Sequence, residues 1–181
     1  MSLKLLCWSL WLLALCPALP AAAEPTQVII VRHAERAAEP RDDPALSPEG
    51  KERAALLAEL LAAADVRTIL TTPYRRTRET AAALAQRLGI EPTVIATRPV
   101  DNTAHIAAVA AQARQASGAV LVVGHSNTVA GIVAALSGSQ PMPLCDTSYS
   151  NLFIVTPAAP LLPAIQLKFG RPDPAGTAHC Q

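Results

Sequence analysis

The chain has 181 residues, fifteen Lys and Arg against fourteen Asp and Glu, and only 3% aromatic residues. Such a chain offers neither the charged groove nor the stacking platform that nucleic-acid binding needs, and it has no polybasic patch for a membrane surface. Any anion site must therefore be built locally.

At the N-terminus, Lys4 precedes an apolar run from Leu5 to Leu19 and then Ala21-Ala22-Ala23. That is the pattern of a secretory signal over residues 1–23, cleaved to leave Glu24 first. The run falls short of the roughly 20 residues of a spanning helix and ends around Pro17 and Pro20. Leu15, bulky before Cys16, argues against a lipid-attachment site. The expectation is an exported protein, periplasmic or secreted, with no stable membrane insertion after cleavage. With Lys4 removed, fourteen basic residues face fourteen acidic ones. The remaining roughly 160 residues suit one domain, expected over residues 24–170 with a loose Pro/Gly-rich tail over 171–181. Of four cysteines only Cys145 and Cys180 survive processing. In an oxidising compartment they are candidates for a disulfide worth about 3–4 kcal/mol on the chain-entropy model, the alternative being two free thiols.

Strand-length apolar runs then alternate with Ala/Leu-rich helical stretches, the pattern of βαβ units in a mostly parallel sheet covered on both faces. Gln27 to Val31 is the first predicted strand. Ser47-Pro48 supplies a cap and a first-turn proline for a helix to about Ala63, with Leu56, Leu57, Leu60 and Leu61 spaced to lie on the sheet. Thr68 to Leu70 is a short strand, and a helix opened by Thr72-Pro73 runs to Gly89, a left-handed stop. Thr93 to Ala96 is a further strand, and a helix from about Thr103 to Ala116 ends at Ser117-Gly118. The fully apolar Ala119 to Val123 reads as a buried central strand. A short helix over Val129 to Leu136 and strands over Asn151 to Val155 and Ala164 to Phe169 complete the domain.

Three chemistry-bearing segments share one address, the carboxyl end of a strand, where parallel sheets bind ligands. Arg32-His33 follows the first strand, Thr72 to Thr80 with Arg75, Arg76 and Arg78 follows the second, and Gly124-His125 follows the most apolar one. Singly, an arginine triplet on a helix is a solvated face and a histidine at a strand end is structural. Brought together, two imidazoles, forked guanidinium donors and helix N-termini suit a phosphate dianion. A histidine pKa near 6.5 would let one ring be neutral and another protonated.

With those residues in place, the chain resembles the phosphoglycerate mutase-like histidine phosphatase superfamily. Val31-Arg32-His33-Ala34-Glu35 is similar to its Arg-His-Gly signature, with Ala34 in the glycine's place. Thr72-Pro73-Tyr74-Arg75-Arg76-Thr77-Arg78-Glu79-Thr80 is similar to its Ser-Pro-Leu-x-Arg-Ala-x-Glu-Thr segment. Val122-Val123-Gly124-His125-Ser126-Asn127 is similar to its second-histidine segment. The resemblance spans about Gln27 to Val155. It implies a three-layer α/β/α sandwich with a mostly parallel sheet and a metal-free phosphomonoesterase without cofactor. His33 would take the phosphoryl group while Arg32, Arg76 and His125 cradle its oxygens. The partner would be a phosphorylated small molecule or phosphate ion.

The leaving-group acid is the open role. Asp101 is the candidate, since it lies near the same edge, although a carboxylate there also reads as a helix cap; Glu35, Asp42 and Asp43 are rivals. His105 reads as a helix-face residue beside the site. Gly124-His125-Ser126 lacks the last glycine of a serine elbow, Thr128 standing there. Two further alternatives are a non-catalytic phosphate binder of the same fold and a phosphoglycerate mutase. A mutase needs an enclosing cap for which the stretch from Arg76 to His125 leaves little room.

Overall fold

The structure, a computed structural model, describes residues 25–97, 100–160 and 162–174. The signal-like residues 1–23 and Cys180 lie outside the described residues. The elements in chain order are β1 (Pro25–Arg32), α1 (Pro48–Leu60), β2 (Val66–Thr71), α2 (Arg75–Leu88), β3 (Thr93–Val94), α3 (Asn102–Arg114), β4 (Gly118–Gly124), α4 (Ser126–Ser137), β5 (Asn151–Val155) and β6 (Ile165–Lys168).

These strands form one sheet in the order β3-β2-β4-β1-β5-β6. β1, β2 and β3 join through β4 and β2 in parallel pairs, whereas β5 lies antiparallel to both β1 and β6. β5 alone is therefore reversed. The central strands are apolar on both faces, as strands sandwiched between helices must be. Alternation along β1 assigns its side chains: Val28 and Ile30 pack with Val109 and Ala113 of α3 and Ile132 and Leu136 of α4. Ile29 and Val31 pack with Leu57 of α1, Leu61 just beyond it, and Ala81 and Leu84 of α2. Two helices on each face give the expected α/β/α sandwich.

The local signals act where the chain places them. Ser47 Oγ accepts from Gly50 N at 3.2 Å and Pro48 stands in the first turn of α1. Gly89, at φ 66°, ends α2 in the left-handed region open to glycine. The leucine face of α1 is narrower than its spacing suggests. Leu57 and Leu61 are buried, but Leu56 and Leu60 are 40% and 54% exposed, because Ala54 and Ala58 complete the inward stripe and turn the other two leucines to solvent.

The start of the tail is pinned rather than loose. Asp173 Oδ1 accepts from Tyr149 N (2.7 Å) and Ser150 N (2.9 Å), and its Oδ2 accepts from Ser150 Oγ (2.7 Å). Arg53 donates to the carbonyls of Phe169 (2.7 Å) and Arg171 (2.9 Å). Cys145 is disulfide-bonded; Cys180, which the sequence offers as its partner, lies outside the described residues.

Candidate active site

β2, β4 and β1 are neighbours running the same way, so their carboxyl ends deliver Thr72, His125 and His33 side by side. Arg32 and Gly124 are register partners, and His33 N donates to Gly124 O at 2.9 Å. The two imidazole centroids are 5.4 Å apart. Arg32, His33, Arg76 and His125 all line a cavity of about 570 Å³, joined by Arg36 and Asp42 from the loop after β1. The sequence-derived convergence is thus a geometric fact for those four residues.

His33 is 3% exposed. Its Nδ1 lies 2.8 Å from Ala34 O, and since a carbonyl only accepts, Nδ1 carries the proton and Nε2 the lone pair. Burial, reinforced by the charges of Arg32 and Arg76, pushes its pKa down to about 2. Burial and the charge of Arg76 likewise push His125 down to about 3. Both shifts favour the neutral ring, whereas the sequence reading expects one of the two imidazoles to be protonated near neutral pH.

The hydrogen bonds around His125 favour the opposite tautomer. Thr77 Oγ donates to Tyr74 O (2.9 Å) and Thr72 Oγ lies 2.9 Å from Thr77 Oγ, so Thr72 donates to Thr77 and is left to accept. His125 Nε2, 3.0 Å from Thr72 Oγ, is then the protonated nitrogen, and Nδ1 faces the Arg76 Nη2 donor at 3.5 Å. The ring is wired through the start of α2, where the sequence motif stands.

The guanidiniums are gripped without being neutralised. Arg32 Nη1 donates to Cys145 O (2.7 Å), Nη2 lies 3.7 Å from the mostly exposed Asp146 carboxylate, and the buried Nε has no hydrogen-bond partner among the described residues. Burial lowers the pKa of Arg32 and Arg76, yet a guanidinium is basic enough to stay charged. The Arg32 and Arg76 guanidinium carbons lie 4.2 and 4.3 Å from the ring centroids of Tyr149 and Tyr74.

The remaining motif residues clamp the loops. Thr80 Oγ accepts from Ala34 N (2.9 Å) and donates to Arg76 O (2.6 Å), tying α2 to the turn after His33. Glu79 accepts from Leu46 N at 2.7 Å and pairs with Arg75. Glu35, a rival acid, is turned away into a bidentate pair with the buried Arg53. Asp43 accepts from Arg75 N at 2.8 Å.

Asp101 is not brought into the cavity wall. Its carboxylate accepts from Ala104 N at 3.0 Å and caps α3, the structural reading of a carboxylate just before a helix. Asn102 and His105 line the wall from that helix instead. His105 is 3% exposed with Nδ1 donating to Ala96 O at 3.0 Å, a helix-face residue beside the site as expected. Asp42 is the rival carboxylate that does reach the cavity. Arg36 and Tyr149 were missed. Arg36 follows the motif by a single residue, and its backbone is fixed by a bridge to Leu46; Tyr149 comes from the loop before the reversed strand, which no spacing rule ties to Arg32.

The model of the histidine phosphatase superfamily (branch 1) matches residues 28–98. No curated protein matches the sequence. Among solved structures, the chain is similar to the protein histidine phosphatase SixA complexed with tungstate, at TM-score 0.60 and 23% identity over 78% of this chain and 96% of that one. It is also similar to the SixA protein of Agrobacterium tumefaciens, at TM-score 0.52 and 26% identity over 72% and 90%. A mycobacterial glucosyl-3-phosphoglycerate phosphatase follows, at TM-score 0.54 and 18% identity over 71% and 89%.

Proposed function

We propose that this chain is a phosphatase of the histidine phosphatase superfamily and that it hydrolyses phosphomonoesters through a phosphohistidine formed on His33. The observation that carries the reading is the setting of His33: a buried ring that burial holds toward its neutral form, its Nδ1 proton held by Ala34 O and its Nε2 lone pair left free, lining one cavity with Arg32 and Arg76. In the first step Nε2 attacks phosphorus, the P–N bond forms and the P–O bond to the leaving group breaks. In the second, water attacks the phosphohistidine and gives a proton to the carboxylate that served the leaving oxygen, the P–N bond breaks and phosphate leaves. Such transfer needs in-line positioning and charge stabilisation on the equatorial oxygens. The guanidiniums of Arg32 and Arg76 and the ring of His125, all in the cavity wall, are the donors for those oxygens. A bound dianion favours the protonated His125 ring, which then donates from Nδ1 as well. The chemistry proposed is metal-independent.

The proton for the leaving oxygen is assigned to Asp42, the rival that lines the cavity and makes no hydrogen bond or ion pair among the described residues. The substrate class is a small phosphorylated molecule, and phosphate is the product. Phosphohistidine is a further substrate class, motivated by the SixA structures to which the chain is similar. Residues 1–23 are read as an export signal. The N-terminal residue of protein recovered from the periplasm or medium tests this, Glu24 being expected.

The decisive assay is phosphate release from para-nitrophenyl phosphate with and without EDTA, wild type against His33→Ala. Activity that resists EDTA and disappears in the variant is expected. A variant that keeps its activity refutes the nucleophile, and EDTA-sensitive activity refutes the metal-free mechanism. A wild type inert toward a panel of phosphomonoesters would make a non-catalytic phosphate binder the better reading.

A further inference from the structure

The chain has two tyrosines, and both stand against the same kind of group. The Tyr149 ring, 4.2 Å from the guanidinium carbon of Arg32, meets His33 edgewise with centroids 6.0 Å apart at 60°. The Tyr74 ring, 4.3 Å from the guanidinium carbon of Arg76, meets His125 with centroids 5.4 Å apart at 90°. One arrangement, a guanidinium on a tyrosine face with an imidazole beside it, is thus built twice from unrelated segments. Tyr74 comes from the turn into α2 and Tyr149 from the loop before β5.

The physical need is specific. An arginine side chain is among the most flexible, and a donor that stabilises a transition state must be fixed before the phosphoryl group arrives. A carboxylate partner would fix it too, but it would consume the in-plane N–H donors and cancel the charge. An aromatic face holds the guanidinium plane through its quadrupole and leaves the edge donors free for phosphate oxygens.

The two supports are not equal. Arg32 is also held by Cys145 O at 2.7 Å and flanked by Asp146 at 3.7 Å. Among the described residues the Arg76 guanidinium has, besides Tyr74, only the 3.5 Å contact of Nη2 with His125 Nδ1. We propose that Tyr74 and Tyr149 are positioning residues that act through Arg76 and Arg32, with Tyr74 the dominant one. The inference rests on the phosphatase reading for its effect on turnover, while its effect on phosphate affinity stands apart from it.

The test uses the full chain with Tyr74→Leu, Tyr74→Phe, Tyr149→Leu and Tyr149→Phe. The readouts are the dissociation constant for inorganic phosphate by calorimetry, kcat/KM on para-nitrophenyl phosphate, and the guanidinium Nε–H resonances by ¹⁵N NMR, assigned with Arg76→Lys. A ring beneath the guanidinium imposes a ring-current shift on Arg76 that Tyr74→Leu abolishes and Tyr74→Phe retains. Tyr74→Leu is expected to weaken phosphate binding and kcat/KM about three- to thirtyfold. Tyr149→Leu should cost less, and both Phe variants should stay within about twofold of wild type. In the Arg76→Lys background, Tyr74→Leu should cost little more, because the group it acts through is gone. The proposal is overturned if Phe loses as much as Leu, if the Leu penalty persists undiminished in the Arg76→Lys background, or if the Arg76 shift survives Tyr74→Leu. A wild type that binds phosphate but turns nothing over refutes the phosphatase reading alone, and the affinity and NMR results then decide the tyrosines.

Discussion

Acidification provides the sharpest test of the electrostatics at this site. Two histidines whose folded pKa values lie near 2 and 3 stay neutral in the native state where the unfolded chain, at the ordinary 6.5, takes up protons. A depressed histidine pKa therefore contributes full stability above pH about 6.5, and that contribution is lost as the pH falls toward the folded values. Each proton bound only by the unfolded state costs about 1.4 kcal/mol per pH unit. From pH 7 to pH 5 the two rings together should cost about 4 kcal/mol, a large share of the roughly 5–15 kcal/mol that holds a domain. Urea unfolding of the phosphate-free protein at pH 7, 6 and 5 measures it. His33→Gln and His125→Gln should each remove about half of the loss, and the double variant should remove nearly all of it. Added phosphate should oppose the loss, since it favours a protonated His125. A double variant that loses as much stability as wild type between pH 7 and pH 5 would refute the assignment of neutral buried rings.

Three other perturbations test the supports around the site. Arg53→Met strands the Glu35 carboxylate and the carbonyls of Phe169 and Arg171, so about 3–5 kcal/mol of stability should vanish in a urea titration. Gly50→Ala would drive a Cβ into Glu35 O; although alanine is the better helix former, a loss of about 1–3 kcal/mol is expected in thermal unfolding, and a gain would show that the loop after His33 yields freely. Asp173→Ala removes the acceptor for Tyr149 N, Ser150 N and Ser150 Oγ, and limited proteolysis should then cut the end of the chain faster, with stability lower by about 1–3 kcal/mol.

The layered fold and the four converging residues were legible because both follow from short-range pattern plus one topological rule. Apolar strands alternating with capped helices give a parallel sheet, and parallel strands present their carboxyl ends on one edge. What stayed hidden depends on contacts between distant segments. Glu35, inside the first motif, looked as available for acid chemistry as any carboxylate near the site. Its partner Arg53 lies on the far side of a loop, and nothing in the spacing shows that a buried guanidinium waits there for it. The leucine face of α1 was overcounted because spacing marks an apolar stripe but not which part of it the sheet reaches. Tyr149 was missed because β5 reverses direction, and the reversal carries the 145–149 loop over Arg32.

Asp101 illustrates the same limit for the leaving-group acid, the role a motif carries least well. A carboxylate at a helix N-terminus satisfies backbone donors at once and locally, so the cap forms whatever the site requires, and Asp101 is spent on Ala104 N. The other nearby carboxylates are committed in the same way: Asp43 to Arg75 N, Glu79 to Leu46 N and Arg75, Asp146 to Ser126 Oγ and the flank of Arg32. Asp42 alone among these rivals lines the cavity with no hydrogen bond or ion pair among the described residues, on a loop whose base is fixed by the Arg36–Leu46 bridge and the Ala37 N to Ala45 O bond at 2.9 Å. A residue reached by eliminating the bonded alternatives leaves no signature in its own neighbourhood of the sequence, whereas the proposed nucleophile and its guanidiniums do, because they sit at a strand end or in the first turn of the helix that follows one. On the proposed reading, the phosphoryl half of the site is written in motifs, and the leaving-group half in the loop between β1 and α1.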